Sequence, residues 1–216
     1  MSTSPSPKLV RSVDELAELV ASRRSDSRCL TAIAGAPGSG KSTTAELLVE
    51  SLNAGVPDSA AVLAMDGYHY DDRVLNERGW RSRKGAPHTF DVGGLAQMLA
   101  RLRTNDEAEV AVPVFDRSLE IARAGARIIP CSVTHVVVEG NYLLLEAEPW
   151  SGLARLFDTT VFIDVSEAEL RRRLLDRWSG LSGRALSEQL DGNDMINVRL
   201  IRSHRRAPDV LFRPLD

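Results

Sequence analysis

Cysteine is nearly absent: 216 residues contain two, Cys29 and Cys131, each inside an apolar run. Two cysteines build neither a disulfide framework nor a thiolate metal site, and their settings predict buried thiols in a reducing compartment. Neither sign of charge dominates. The formal net charge of −3 gives no footprint for a polyanion, so the arginines at 171–173 and 205–206 read first as solvated helix faces. No apolar run reaches the length of a membrane span, and the opening MSTSPSPK lacks the apolar stretch of a secretory signal. A cytoplasmic protein with no membrane or nucleic-acid partner is expected.

The chain is otherwise ordinary for a globular domain, with 43% apolar and 26% charged residues. Residues 1–8 are rich in Ser and Pro and are expected to be disordered. Residues 9–216 suit a single domain. Ser12 and Glu15 have the spacing of a capping box before an amphipathic helix. Short apolar runs come next at CLTAIA, AAVLAM, EVAVPVF, THVVVEG, TVFIDV and DVLF, separated by helical patterns at 42–52, 93–103, 167–178 and 184–203. This alternation predicts an α/β fold of three layers, a parallel sheet covered by helices on both faces. Ligands of such sheets sit beyond the carboxyl ends of the strands.

GAPGSGKS lies at that edge, directly after the first of these runs. Its spacing, G-x-x-x-x-G-K-[ST], sets Gly35, Gly40, Lys41 and Ser42 in the positions of a phosphate-binding loop. Pro37, Gly38, Ser39 and Thr43 complete the nucleotide-binding set. Backbone N–H groups of such a loop face an anion, and the positive end of the adjoining helix adds to the attraction. Lys41 is suited to the outer phosphates and Ser42 to Mg²⁺. The expected ligands are therefore ATP and Mg²⁺.

Two further strands end in acids, Asp66 in AMDGYHY and Glu139 in VVVEGNY. One such acid can help hold Mg²⁺ and the other accept a proton from an attacking hydroxyl. The lesser alternative for each is a plain turn or strand exit. In SEAELRRRLLDRW, Ser166 and Glu169 fit a second capping box, and Arg173 and Arg177 share a helix face. They can clamp a phosphoryl group in flight or pair with Glu169 and Asp176 in solvent.

The ordered set GAPGSGKS, MDGYH, PHTFDV, VPVFDRS and VVVEGNYLLL resembles the P-loop small-molecule kinases, the group of uridine kinase, phosphoribulokinase and the bacterial P-loop pantothenate kinase. Within it the chain is most similar to bacterial nucleoside-kinase-like and fructokinase-like proteins. The resemblance runs from residue 30 onward and implies roles for several residues. Asp66 matches the general base, Asp91 the aspartate that grips sugar hydroxyls, and Phe90 its aromatic neighbour. Phe115 matches an acceptor-pocket position, Glu139 the acid of the second Walker strand, and 166–190 the lid helix region. Two positions depart from uridine kinase: His69 replaces a tyrosine, and Glu120 stands near an expected histidine, with Arg117 and Arg123 alongside. His69 is then a substrate contact or a loop histidine. Asn193 and Asn197 are lid residues or caps.

A regulatory P-loop NTPase is the main alternative of another class. It is disfavoured because the chain has no N-K-x-D guanine motif and the third internal strand ends in EGNY. An acceptor region of Asp66, Asp91, Arg117, Glu120 and Arg123 with few aromatics suits a hydroxyl-rich ligand. A nucleobase would prefer stacking surfaces. The expected activity is transfer of the γ-phosphate to a hydroxyl of a small metabolite, a sugar such as fructose first, a nucleoside or pantothenate-like acid next. The expected partner is a small-molecule substrate, with a homodimer as an option.

Overall fold

The computed structural model describes residues 6–23 and 28–214. Eight strands occur among them: β1 (Lys8–Val10), β2 (Cys29–Gly35), β3 (Ala60–Ala64), β4 (Glu109–Asp116), β5 (Ile121–Pro130), β6 (His135–Gly140), β7 (Thr159–Ile163) and β8 (Val210–Phe212). Seven α-helices accompany them: α1 (Val13–Ala21), α2 (Lys41–Gly55), α3 (Asp72–Glu77), α4 (Val92–Thr104), α5 (Glu167–Arg177), α6 (Gly183–Gln189) and α7 (Met195–His204). Six strands form one parallel sheet in the order β1-β8-β7-β2-β6-β3. The expected three-layer α/β fold is thus present.

Alternation along the strands supplies a core on each face. Leu30, Ala32, Val136 and Val138 pack with Leu95, Leu99 and Leu102 of α4 on one side. Ile33, Val137 and Val161 pack with Leu16, Val20, Leu48 and Leu52 of α1 and α2 on the other. Ser12 Oγ accepts from the Glu15 N–H at 3.2 Å, as the capping box predicts, while Glu15 reaches back to the Arg11 N–H at 3.0 Å. Among the described residues no helix is long and apolar enough to cross a membrane.

Several expectations change. The disordered start lies outside the described residues up to residue 5, but Lys8 already pairs with Val210, so order begins before residue 9. EVAVPVF does not join the parallel sheet. It forms β4, which pairs antiparallel with β5, interrupted by a register shift between Val112 and Val114. One face of this hairpin buries Val110, Val112 and Ile129 in the α4 core, while most of β5 is exposed and so lacks an apolar pattern to read. Cys131, just beyond β5, is exposed; Cys29 is buried as expected. The single helix expected over 184–203 is broken by a π-helical turn at Leu190–Asp194.

Two of the contacts that fix the hairpin over the sheet edge involve main-chain carbonyls next to Gly67 and Arg28. Gly67 lies so close beneath it that a Cβ there would stand 2.8 Å from the Pro113 carbonyl oxygen. At the hairpin base, the buried Arg28 guanidinium donates to the carbonyls of Pro130 (2.7 Å), Val133 (2.7 Å) and Leu102 (3.2 Å).

Candidate active site

A cleft of about 660 Å³ opens at the carboxyl ends of β2, β3 and β6. β2 ends at Gly35 and the chain curls through residues 36–40 into α2. Gly38 and Gly40 take φ values of +79° and +91°, which a side chain would strain, and Gly40 caps α2 without a side-chain bond. Pro37, Gly38, Gly40, Lys41, Ser42 and Thr43 line the cleft; Gly35 stays in the sheet and Ser39 is buried beneath the loop. Lys41 Nζ folds back to the Ala36 carbonyl at 3.1 Å. Burial pushes the Lys41 ammonium down from its ordinary value, while the charges of Glu139 and Asp66 oppose that shift.

The sheet sets the spacing of the two acids. Ala64 of β3 is the register partner of Glu139 on β6, and Asp66 comes two residues later on a 3₁₀ turn, Met65–Tyr68. Glu139 is 5% exposed. Burial first, then the charge of Asp66, push its carboxyl up to about 7, against Lys41 and the Ser42 hydroxyl. Asp66 Oδ2 accepts from Arg117 Nη2 at 3.0 Å, so the hairpin reaches the acid from above.

Beyond Asp66 the wall is aromatic and charged. His69 stacks on Phe90 with centroids 4.0 Å apart and is tilted against Phe115 at 5.1 Å. Phe90 also meets the Tyr142 and Trp150 rings edge-on. Burial is the first cause that lowers the pKa of His69, which favours its neutral form. Phe90, Phe115, Arg117 and Glu120 all line the cleft with His69. Asp91 does not: its carboxylate caps α4 by accepting from the Gly94 N–H at 2.9 Å, on an exposed turn. The motif TFDV implies a grip on sugar hydroxyls for Asp91; here its carboxylate serves as the helix cap of α4. Arg123 pairs with Asp116 at 3.3 Å and stays outside the lining.

The opposite rim is formed by α5 and the segments C-terminal to it. Ser166 Oγ accepts from the Glu169 N–H at 3.2 Å. The Glu169 carboxylate takes Arg172 and Arg173 instead of closing the capping box, and these bonds pull its carboxyl down to about 2. Arg172 carries the solvent pairing with Asp176. Arg173 and Arg177 face the cleft, and Arg173 Nη1 stands 3.5 Å from the Gly38 carbonyl. Trp178 Nε1 donates to Asp194 Oδ2 at 2.7 Å, fastening the end of α5 to the π-helical turn.

Several lining residues have no role legible in the sequence: Arg81, Lys84 and Gln189 lie outside every motif, and Asn141 and Trp178 do not stand out within VVVEGNYLLL and SEAELRRRLLDRW, nor does Asp194 within NDMIN. Asn193 and Asn197 make no helix-capping bond. Asn197 donates to Asn193 Oδ1 (3.2 Å) and Asn193 to the Lys84 carbonyl (2.9 Å). The buried settings of these amides are not legible from NDMIN as a string.

The residues present fit a Mg²⁺-bound triphosphate. The left-handed glycines expose the loop amides, Lys41 is turned over them, and Ser42 touches Glu139. Among the described residues no cluster of three or more His, Cys, Asp or Glu could hold a metal by itself. Mg²⁺ is usually held by one or two carboxylates with phosphate oxygens and water, and Glu139 beside Ser42 offers one such carboxylate.

A phosphate loop at the end of a parallel sheet, acids on the neighbouring strands and an arginine-bearing helix across the cleft together define a P-loop kinase. The chain belongs to the phosphoribulokinase/uridine kinase family, which matches over residues 30–186. It is 31% identical over 197 residues to a candidate uridine kinase of Schizosaccharomyces pombe, covering 87% of this chain and 84% of that one. It is 32% identical over 168 residues to the pantothenate kinase of Myxococcus xanthus, covering 74% of this chain and 52% of the relative. Among solved structures it is similar to a candidate fructose transport system kinase from Silicibacter sp. TM1040. There the TM-score is 0.86 at 38% identity, over 94% of this chain and 99% of that one. The protein is an ATP-dependent small-molecule kinase.

Proposed function

We propose that the acceptor is a sugar, fructose or a close relative, presenting adjacent hydroxyls to Asp66 and Arg117. One observation carries this reading: the aromatic faces near the acceptor end are already covered. Phe90 is 3% exposed with His69 stacked on it, and the Lys84 ammonium lies 5.3 Å over the Phe115 ring. Phe90 and Phe115 therefore offer a nucleobase little free face for stacking beside Asp66. Asp66, Arg117, Glu120 and the neutral His69 remain, groups that donate to and accept from hydroxyls. The likeness to the Silicibacter protein, described by its fructose transport system, agrees.

MgATP, when bound, supplies the phosphoryl group. The loop amides and Lys41 would hold its phosphates, and Ser42 and Glu139 would hold Mg²⁺, which would offset charge on the phosphate oxygens. As the acceptor oxygen forms its bond to phosphorus, its proton passes to Asp66, whose Oδ2 is steadied by Arg117. Arg173 and Arg177 offset the charge that spreads over the phosphoryl oxygens, and ADP departs. His69 and Glu120 orient the remaining hydroxyls against Phe90 and Phe115.

The test is a coupled ADP-release screen with MgATP against hexoses, pentoses, nucleosides and pantothenate. Turnover with a ketohexose, and not with nucleosides, is expected. Turnover confined to uridine or cytidine would reject the sugar and favour the nucleoside reading; turnover confined to pantothenate would favour the acid.

A further inference from the structure

Lys84 belongs to no motif, yet it joins three segments that the sequence encodes far apart. Its side chain is 9% exposed. The ammonium donates to Asp72 Oδ1 on α3 at 2.8 Å and to the main-chain carbonyl of Glu120 at 2.6 Å, with Glu120 Oε2 at 3.6 Å. It also sits over Phe115. A lysine ammonium has three donors and attracts an aromatic face, so each of these partners can be satisfied at once.

The far side of this clamp is the hairpin tip. Asp116 winds the tip by accepting from the N–H groups of Ser118 and Leu119 and from the Ser118 hydroxyl. Glu120 then enters the left-handed region at φ +56°, a conformation that a non-glycine residue keeps only where its surroundings hold it. The Lys84 bond to the Glu120 carbonyl is one such hold. From behind, the Lys84 carbonyl accepts from Asn193, and Arg83 Nη1 bonds the Gly192 carbonyl at 2.7 Å, both on the π-helical turn.

We propose that Lys84 is a positioning residue that sets acceptor specificity. It holds Glu120 and Phe115 of the hairpin tip against the cleft, while Asn193 fixes its backbone from the lid side. The specificity half of this inference rests on the acceptor site proposed above; the clamp itself does not.

Hydrogen–deuterium exchange of the ligand-free protein tests the clamp without any substrate. In Lys84→Met, amides of residues 117–121 should exchange about tenfold faster, with those of the central sheet unchanged. Lys84→Arg should restore part of the protection. Asp72→Asn, on the exposed helix outside the cleft lining, should produce a smaller change at the same amides and guards against misfolding of the first variant. Kinetics with the compound that the screen identifies then tests specificity. The acceptor KM should rise about tenfold in Lys84→Met while the KM for MgATP stays within about twofold. Unchanged exchange at 117–121 overturns the proposal. So does faster exchange with an unchanged acceptor KM, which would leave Lys84 a purely structural residue. A screen without a sugar hit rejects the sugar reading alone, and the exchange result still judges the clamp.

Discussion

Glu139→Gln should make the nucleotide-free enzyme more stable while removing a Mg²⁺ contact. Burial, more than any neighbouring charge, pushes the Glu139 carboxyl from an ordinary 4.5 up to about 7 in the folded chain. An acid raised in this way adds no cost below its unfolded value. The cost of ionising it grows as pH rises through the interval and is complete above the folded value. At about 1.4 kcal/mol per unit, the shift corresponds to roughly 3 kcal/mol at pH 8. Glutamine imitates the protonated form and escapes that cost. The attraction of Lys41 is already contained in that shift, and relaxation around so buried a pair cuts the expected net gain to about 1–2 kcal/mol. For a chain of this size that is a rise in Tm of roughly 3–6 °C. Scanning calorimetry with a chelator present, at pH 5 and pH 8, should show a small difference at the lower pH and the full one at the higher. A Tm that falls at pH 8, or a difference equal at both pH values, would refute the reasoning. Lys41 would then stabilise the ionised acid more than burial penalises it.

Asp66→Asn should keep MgATP binding and lose kcat by roughly 10²–10⁴, the usual worth of a positioned base, in steady-state assays. Retention of near-normal kcat would remove Asp66 from the proton transfer. Lys41→Ala should abolish turnover and weaken MgATP in isothermal titration, since the phosphates lose their buried cation. Asp91→Ala should lower stability by about 1 kcal/mol through the lost helix cap and leave the acceptor KM unchanged. A raised KM with unchanged Tm would return Asp91 to the acceptor site.

The transfer half of the site is legible in the sequence because its chemistry is local. A phosphate loop is a contiguous string, and a strand that ends in an acid is visible as an apolar run closed by Asp66 or Glu139. The acceptor half is not. β5 is mostly exposed, so the segment that caps the cleft has no apolar run, and its partner β4 reads as one more parallel strand. The motif that holds Asp91 reads the same whether the carboxylate faces a ligand or turns back to the Gly94 N–H. Lys84 depends on Asp72, Glu120 and Asn193 at once, which no spacing along the chain reveals. The break at Leu190–Asp194 shows the same limit, because its buried amides are chosen by the cleft and not by the helix.

The way Arg28 grips the hairpin base has a consequence for how such an enzyme can change its diet. All three of its bonds end on main-chain carbonyls, which every amino acid supplies. That anchor is blind to side-chain identity, so the inner face of the hairpin (Val110, Val112 and Ile129) carries the side-chain part of its docking, while its strands pair only with each other. With that inner face kept, the mostly exposed outer positions of β5 can drift, and a new acceptor be tried, without disturbing a single ladder bond of the sheet that carries Glu139 and leads to Asp66.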